Sequence, residues 1–263
     1  MEQTVTEYIS KPMQVSMADS WFDTTNTRHF WMQLRFGAMK KLFTGYLPEN
    51  GNFLEIGCGN CVFRDQVEEN LKLSIDACDL NEFALKKAKN GKGKVMVYDI
   101  MEQNPKLIGK YDGIFMMDVI EHIEDHVSFV KAAARHVKPG GIIIINVPAF
   151  MSLYGKYDIA QGHFRRYTFK TMNDFLLKLN SELDFLKMSY WGGFMYPVLV
   201  ARNFVLKFKK DNEVVETGFA PHSKLSNAIL HGLKNVELGL GIPFQKMFGS
   251  SLMIAVRTKN VAS

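Results

Sequence analysis

Two stretches of the chain concentrate residues able to carry out chemistry. Asp118, Glu121 and His122 stand at spacings of three and four, which would set them on one face of a helix. An imidazole that titrates near neutrality suits a general base taking a proton from an acceptor hydroxyl, while the two carboxylates suit a hard divalent cation better than the imidazole does. The second stretch holds Tyr154, Tyr157 and Asp158, then Gly162-His163-Phe164-Arg165-Arg166-Tyr167-Thr168. It is too dense in aromatic, histidine and arginine side chains to read as a linker. Tyr154, Tyr157, His163, Arg166 and Tyr167 are therefore candidate ligand contacts, and His122, His163 and Tyr167 are the candidate catalytic groups. Thr168 also reads as the cap of a helix over Phe169–Leu179.

A third stretch, Phe53 to Cys61, joins a short apolar run to a glycine pair. Gly57 and Gly59 can take backbone conformations closed to other residues and leave no side chain between backbone N–H groups and a ligand. A second apolar run ends in Asp79, where a doubly wound fold places the carboxylate that binds ribose hydroxyls. Val62 stands where a nicotinamide site would have its third glycine, and Glu55 precedes the first. The pocket is thus expected to take an adenosine ligand of another kind.

These residues need a scaffold, and the hydrophobic pattern supplies one. Apolar runs at Asn52–Ile56, Lys72–Cys78, Lys94–Tyr98, Tyr111–Met116 and Gly141–Val147 alternate with helical patterns at Val62–Asn70, Glu82–Asn90 and His126–His136. Such alternation implies a parallel sheet with right-handed crossovers and a ligand crevice at the carboxyl ends of the strands. Two more strands are expected at 184–191 and 250–258, with nearly sixty residues between them. Within that insertion Phe194–Phe208 is almost wholly apolar and ends in Lys207-Phe208-Lys209-Lys210, too short to span a bilayer. It reads as an interfacial helix, or as a lid or dimer contact packed with Lys224–Leu238. Residues 1–20 show no period and are expected to form a loose arm, followed by a helical pattern over Ala18–Leu47 that carries Trp21, Phe22, Phe30 and Trp31.

A chain of 263 residues at 47% hydrophobic can bury a substantial core. The net charge of +5 is uneven: residues 1–150 carry 17 Lys/Arg against 19 Asp/Glu, and residues 151–263 carry 15 against 8. A basic second half allows nucleic acid, anionic lipid or an acidic small molecule as partner. The three cysteines lie between Cys58 and Cys78, giving no extracellular disulfide framework, and the N-terminus lacks a basic flank before an apolar core; a cytoplasmic location is expected. Cys58-x-x-Cys61 overlaps the glycine turn and has no second pair, which argues against a zinc site.

Glu55-Ile56-Gly57-Cys58-Gly59, Asp79-Leu80, Asp99-Ile100, Tyr111-Asp112-Gly113-Ile114-Phe115, Asp118 to Ile123 and Lys138-Pro139-Gly140-Gly141 occur in the order found in class I S-adenosylmethionine-dependent methyltransferases, which the chain resembles over roughly residues 20–190. The resemblance implies a doubly wound, Rossmann-like α/β fold: a seven-stranded, mostly parallel sheet with an antiparallel final pair. It assigns the glycine turn Gly57-Cys58-Gly59 to the methionine part of S-adenosyl-L-methionine, Asp79 to the ribose, and Asp99 with Ile100 to the adenine, and it places Glu55, Leu80 and Met117 among the cofactor contacts. Trp21-Phe22-Asp23 and Leu34-Arg35-Phe36-Gly37 are similar to segments of ubiquinone-pathway O-methyltransferases, which implies that Arg35 pairs with the cofactor's carboxylate. The same enzymes imply magnesium on Asp118, Glu121 and His122, less favoured here than a Glu121–His122 pair that braces the pocket. The Gly162–Thr168 segment is similar to one found among methyltransferases of small molecules and glycans.

The organisation expected is an N-terminal cover over 1–50, a cofactor-binding core over 51–191, a helical insertion over 192–249 and a final strand and tail over 250–263. The activity expected is methyl transfer to an oxygen or nitrogen of a small-molecule acceptor, with peripheral membrane contact and a homodimer both open. A nucleic-acid methyltransferase is the alternative, but Asn146-Val147-Pro148-Ala149 departs from Asn-Pro-Pro-Tyr at its second and fourth positions and no Pro-Cys nucleophile is present. A non-catalytic cofactor-binding module is a further alternative.

Overall fold

Alternation of side chains along the apolar runs decides the layering. In the computed structural model, which describes residues 5–15, 19–210, 214 and 223–259, Leu54, Ile114, Met116, Ile143, Ile145, Leu252 and Ile254 face one side of a single sheet. Their neighbours Phe53, Phe115, Met117, Ile142, Ile144, Met253 and Ala255 face the other. Both faces are apolar, as a sheet covered by helices on both sides requires. The parts of the expected arm, insertion and tail at 1–4, 16–18, 211–213, 215–222 and 260–263 lie outside the described residues.

The strands are β1 (Thr6–Tyr8), β2 (Asn52–Ile56), β3 (Ser74–Asp79), β4 (Val95–Val97), β5 (Tyr111–Met117), β6 (Val137–Pro148), β7 (Leu183–Trp191) and β8 (Ser251–Thr258), in the order β1-β4-β3-β2-β5-β6-β8-β7. Neighbours from β1 to β6 are parallel, and β8 runs antiparallel between β6 and β7. Ile56 pairs with Cys78 on one side and Met116 on the other, so Gly57, Asp79 and Asp118 emerge together at the carboxyl edge.

The sheet has eight strands where seven were expected, because part of the supposed loose arm is β1. Three residues are too few to show a period, yet Thr6–Tyr8 pair with Val95–Val97, and Lys94 binds Glu7 at 2.6 Å. The single helix expected over Ala18–Leu47 is also divided, into α1 (Ser20–Thr24) and α2 (Phe30–Phe43). The break falls at Thr25, where Asn60 Nδ2 of the glycine loop donates to the carbonyls of Phe22 (3.2 Å) and Thr25 (3.0 Å). These carbonyls would otherwise carry the helix onward.

The remaining helices are α3 (Val62–Asn70), α4 (Glu82–Leu85), α5 (His126–Ala134), α6 (Lys156–Ala160), α7 (Phe169–Leu177), α8 (Tyr196–Leu206) and α9 (Lys224–Gly239). Asp125 caps α5 through the Ser128 amide at 3.1 Å, and Thr168 caps α7 through Thr171 at 3.2 Å. α5 and α7 pack on one face of the sheet, and α2 and α3 on the other. α9 lies on α2 at Gly37, where an added Cβ would come 2.7 Å from Leu238 Cδ1. The buried Glu237 carboxylate of α9 accepts from the Gly192, Gly193 and Phe194 amides at 2.6, 3.1 and 3.2 Å, which fixes the turn after β7.

Candidate active site

The glycine turn after β2 is held open by geometry that other residues resist. Gly57 has φ +69° and Gly59 φ +53°; an added Cβ would lie 2.6 Å from Val119 at the first and 2.6 Å from Phe22 at the second. Gly59 donates its amide to Asp79 Oδ2 at 2.8 Å, and the Asn81 amide meets Oδ1 at 2.8 Å. Burial raises the Asp79 carboxyl above the usual range, offset in part by these amides. Each oxygen keeps a lone pair for a further donor. Glu55 is buried and accepts from the Arg64 amide in the first turn of α3 at 3.0 Å, and burial pushes its pKa up to about 8.

On one side of Gly57 lies a cleft lined by Leu80, Asp99, Ile100, Val119 and Phe129, with Asp79 at its edge. Asp99 spends one oxygen on the Met101 amide at 2.9 Å. A flat apolar slot with strand-end carboxylates fits a nucleoside. On the other side a cavity is lined by Trp21, Arg35, Glu55, Cys58, Met117 and Asp118 as well as both glycines. Arg35 Nη1 donates to Asp118 Oδ2 at 2.8 Å and to the Met117 carbonyl at 3.3 Å, while its Nε is buried with no partner among the described residues. The groups present therefore fit S-adenosylmethionine: a cradle free of Cβ atoms, a guanidinium with a donor to spare, and carboxylates at the ribose position.

Asp118 also accepts from Asn146 Nδ2 at 2.6 Å, and Asn146 Oδ1 accepts from Trp191 Nε1 at 2.7 Å. Asp118 has φ +64° and precedes a short 3₁₀ turn over Ile120–His122, so the three-residue group does not share a helical face as its spacing suggested. What the turn does instead is aim Glu121 and His122 into a third cavity, bounded by Trp21, Trp31, Tyr157, His163, Arg166 and Arg202. Trp21 and Asp118 line this cavity and the cofactor cavity alike. The cleft beside Asp79 and Asp99, the cavity of Arg35 and the cavity of His163 therefore follow one another along the carboxyl edge of the sheet.

His163 sits at the end of an ion-paired chain. Its Nδ1 meets Asp158 Oδ1 at 2.9 Å; Arg166 holds the same carboxylate through Nε (2.7 Å) and Nη2 (3.2 Å) and spends Nη1 on the Ala149 carbonyl at 3.1 Å. The His163 side chain and Arg166 together hold the buried Asp158 below the usual carboxylate range against the opposing effect of burial. His122 packs edge-to-face on His163 at 4.6 Å, and burial first, then His163, lowers its pKa to about 3. Glu121 is fully buried, with neither oxygen hydrogen-bonded to a described residue, and burial followed by the charge of Asp118 raises its carboxyl well above the usual range.

Three residues expected at the acceptor are thus brought together, Tyr157, His163 and Arg166, whereas two are not. Tyr167 is buried in the core with its hydroxyl on His126 Nδ1 at 2.7 Å, and Tyr154 stands behind His163, donating to its carbonyl at 2.7 Å. Several cavity residues escaped sequence reasoning. Trp21 and Trp31 looked like helix packing, and Leu199 and Arg202 come from α8, some forty residues beyond His163. Arg202 lies 4.4 Å from the Tyr157 ring centroid.

Magnesium does not fit these groups. Both Asp118 oxygens are engaged, and the ligand atoms that converge, within 4.8 Å of one another, belong to Glu121, His122 and His163. One carboxylate and two imidazoles are a poor donor set for a cation that demands oxygen ligands.

A family model described as a methyltransferase domain matches residues 29–185. A ubiquinone biosynthesis O-methyltransferase from Thiobacillus denitrificans is 30% identical over 99 residues, covering 35% of this chain and 42% of that protein. One from Escherichia coli O127:H6 is 26% identical over 140 residues, covering 50% and 57%. The chain thus spans about half the length of the curated relatives it matches. Among solved structures, Haemonchus contortus phosphoethanolamine N-methyltransferase 2 in complex with S-adenosyl-L-methionine aligns with a TM-score of 0.57 at 14% identity, over 92% of this chain and 58% of that one. At that identity the likeness shows the fold.

Proposed function

The chain belongs to the methyltransferase-domain family, and from that membership we propose that it transfers the methyl group of S-adenosylmethionine to an oxygen or nitrogen atom of a small molecule held in the His163 cavity. The observation that carries the proposal is the sharing of Trp21 and Asp118 between the cofactor cavity and the cavity of His163. A donor seated on the glycine turn and an acceptor beside His163 would meet there. The names of the relatives, O-methyltransferases in two cases and an N-methyltransferase in the third, agree with a small-molecule acceptor.

When bound, S-adenosylmethionine supplies an electrophilic methyl carbon. The protein's own part is largely alignment, which contributes on the order of 7 to 11 kcal/mol at best. Gly57 and Gly59, whose own amides are held by the Cys78 carbonyl and Asp79, let the ligand lie close to the turn because no Cβ intervenes; Asp79 takes the ribose hydroxyls, Asp99 and Ile100 the adenine, and the spare Arg35 donor the ligand's carboxylate. Trp21 offers an aromatic face to positive charge near the junction of the cavities. His163 is the general base: Asp158 fixes its Nδ1 proton, leaving Nε2 to take a proton from the acceptor. His122, with its pKa near 3, is too weak a base for this and serves instead as a wall.

S-adenosylhomocysteine release from pools of small phenols, amines, sugars and carboxylates tests the reading. Turnover with at least one pool, abolished by His163→Ala with cofactor binding retained, supports it. Tight cofactor binding with turnover only on RNA or DNA would overturn the acceptor class.

A further inference from the structure

The two faces of α8 differ in character. Leu199, Arg202, Asn203 and Leu206 recur at spacings of three and four and turn inward. Leu199 and Arg202 line the His163 cavity, Asn203 Nδ2 donates to the Leu153 carbonyl at 2.5 Å, and Leu206 packs with Tyr157 and Val214. The opposite stripe, Val200, Phe204 and Phe208 with Val205 beside it, is 49%, 63%, 77% and 51% exposed. Met151 and Ile159, on the two short elements that pack against α8, are also exposed. A continuous apolar stripe of this kind marks a contact surface.

Charge identifies what the stripe contacts. From Tyr196 to Lys210 the chain carries Arg202, Lys207, Lys209 and Lys210 and no acidic residue, and the three lysines are exposed at the end of the apolar stripe. We propose that this face of α8 docks on an anionic lipid bilayer, with Phe204 and Phe208 at the boundary of headgroups and acyl chains and Lys207, Lys209 and Lys210 on the headgroups. A second copy of the chain is a poorer occupant, since a two-fold contact along the stripe would meet another Tyr196–Lys210 segment, which offers the lysines no carboxylate. Eleven residues cannot cross a bilayer, and no helix among the described residues is long and apolar enough to do so; α8 therefore lies in the plane of the surface. The docking stands independently of the methyl-transfer reading. Because the inner face of α8 walls the His163 cavity, docking would set that cavity at the lipid surface.

Sedimentation of the full chain with phosphatidylcholine vesicles, with and without phosphatidylglycerol, tests the proposal. The chain is expected to pellet with the anionic vesicles only, and added salt should release it. Phe204→Glu/Phe208→Glu should remain in the supernatant while keeping its circular dichroism melt, and each lysine changed to alanine should weaken partitioning by about fivefold. Absence of wild-type binding, or binding that these substitutions leave unchanged, overturns the proposal. So does a wild-type dimer that the double substitution converts to a monomer without any vesicle binding.

Discussion

Arg35 and Asp118 form an ion pair at 2.8 Å with the arginine side chain almost wholly buried, and Asp118 holds it from a left-handed backbone conformation at φ +64°. The pair spans α2 and the end of β5 and stands at the wall between the cofactor cavity and the His163 cavity. Both members should matter to stability. Arg35→Leu strands the Asp118 carboxylate in a partly buried site and is expected to cost about 3 kcal/mol in urea unfolding. Asp118→Asn tolerates the backbone conformation but leaves the more deeply buried guanidinium without a counter-charge and turns an amide N–H toward Asn146 Nδ2, so its cost should be no smaller. A loss below about 1 kcal/mol in either variant would show that the ion pair is not what the site needs.

Stability should fall as pH rises through the range set by Glu55. Burial raises its folded-state pKa from 4.5 to about 8, so the folded chain retains a proton that the unfolded chain releases over that interval. The stability contributed is complete below pH 4.5 and lost as pH climbs through about 8. Glu55→Gln keeps an acceptor for the Arg64 amide without the titration. Its melting temperature should therefore vary less between pH 5 and 8 than that of the wild type, and parallel pH profiles for the two proteins would rule Glu55 out.

The five central strands and the glycine turn were legible because alternation and strand-end glycines are local signals. The wall of the His163 cavity was legible only in part. Arg166 and Tyr167 are adjacent in the dense aromatic and basic segment, but Tyr167 donates its amide to the Pro148 carbonyl in an isolated bridge beside Ala149, which turns its ring inward. Neighbours along extended chain face opposite ways, and composition does not say which faces the cavity. Arg202 was hidden for a different reason: it is one charge within an apolar run, and only the packing of α8 against α6 brings it over Tyr157. The three-residue arm strand was too short for any period to reveal.

His163 and His122 should separate in kinetics. Replacing His163 with alanine is expected to lower kcat/KM by about 10² to 10⁴, whereas His122→Gln should cost less than about tenfold. Asp158→Asn should lower kcat with KM little changed, because Asp158 holds the His163 ring by its Nδ1. A loss at His122 larger than at His163 would reverse the assignment.

Magnesium should not matter. Enzyme freed of metal by chelator and dialysis is expected to turn over at the same rate with and without added magnesium, given the single carboxylate among the converging groups and the occupied Asp118 oxygens. A magnesium-dependent rate would mean that Asp118 leaves Arg35 during turnover.

The most direct test is calorimetric titration of the purified chain with S-adenosylmethionine, alongside Gly57→Ala and Asp79→Ala. A Cβ at Gly57 would collide with Val119 and also strain φ +69°, and Asp79 organises the turn through the Gly59 amide. Saturable one-site binding is expected for the wild type, lost in Gly57→Ala and weakened at least about tenfold in Asp79→Ala. A wild-type protein that fails to bind, or variants that bind as well as it does, would contradict the cofactor site on which the whole account rests.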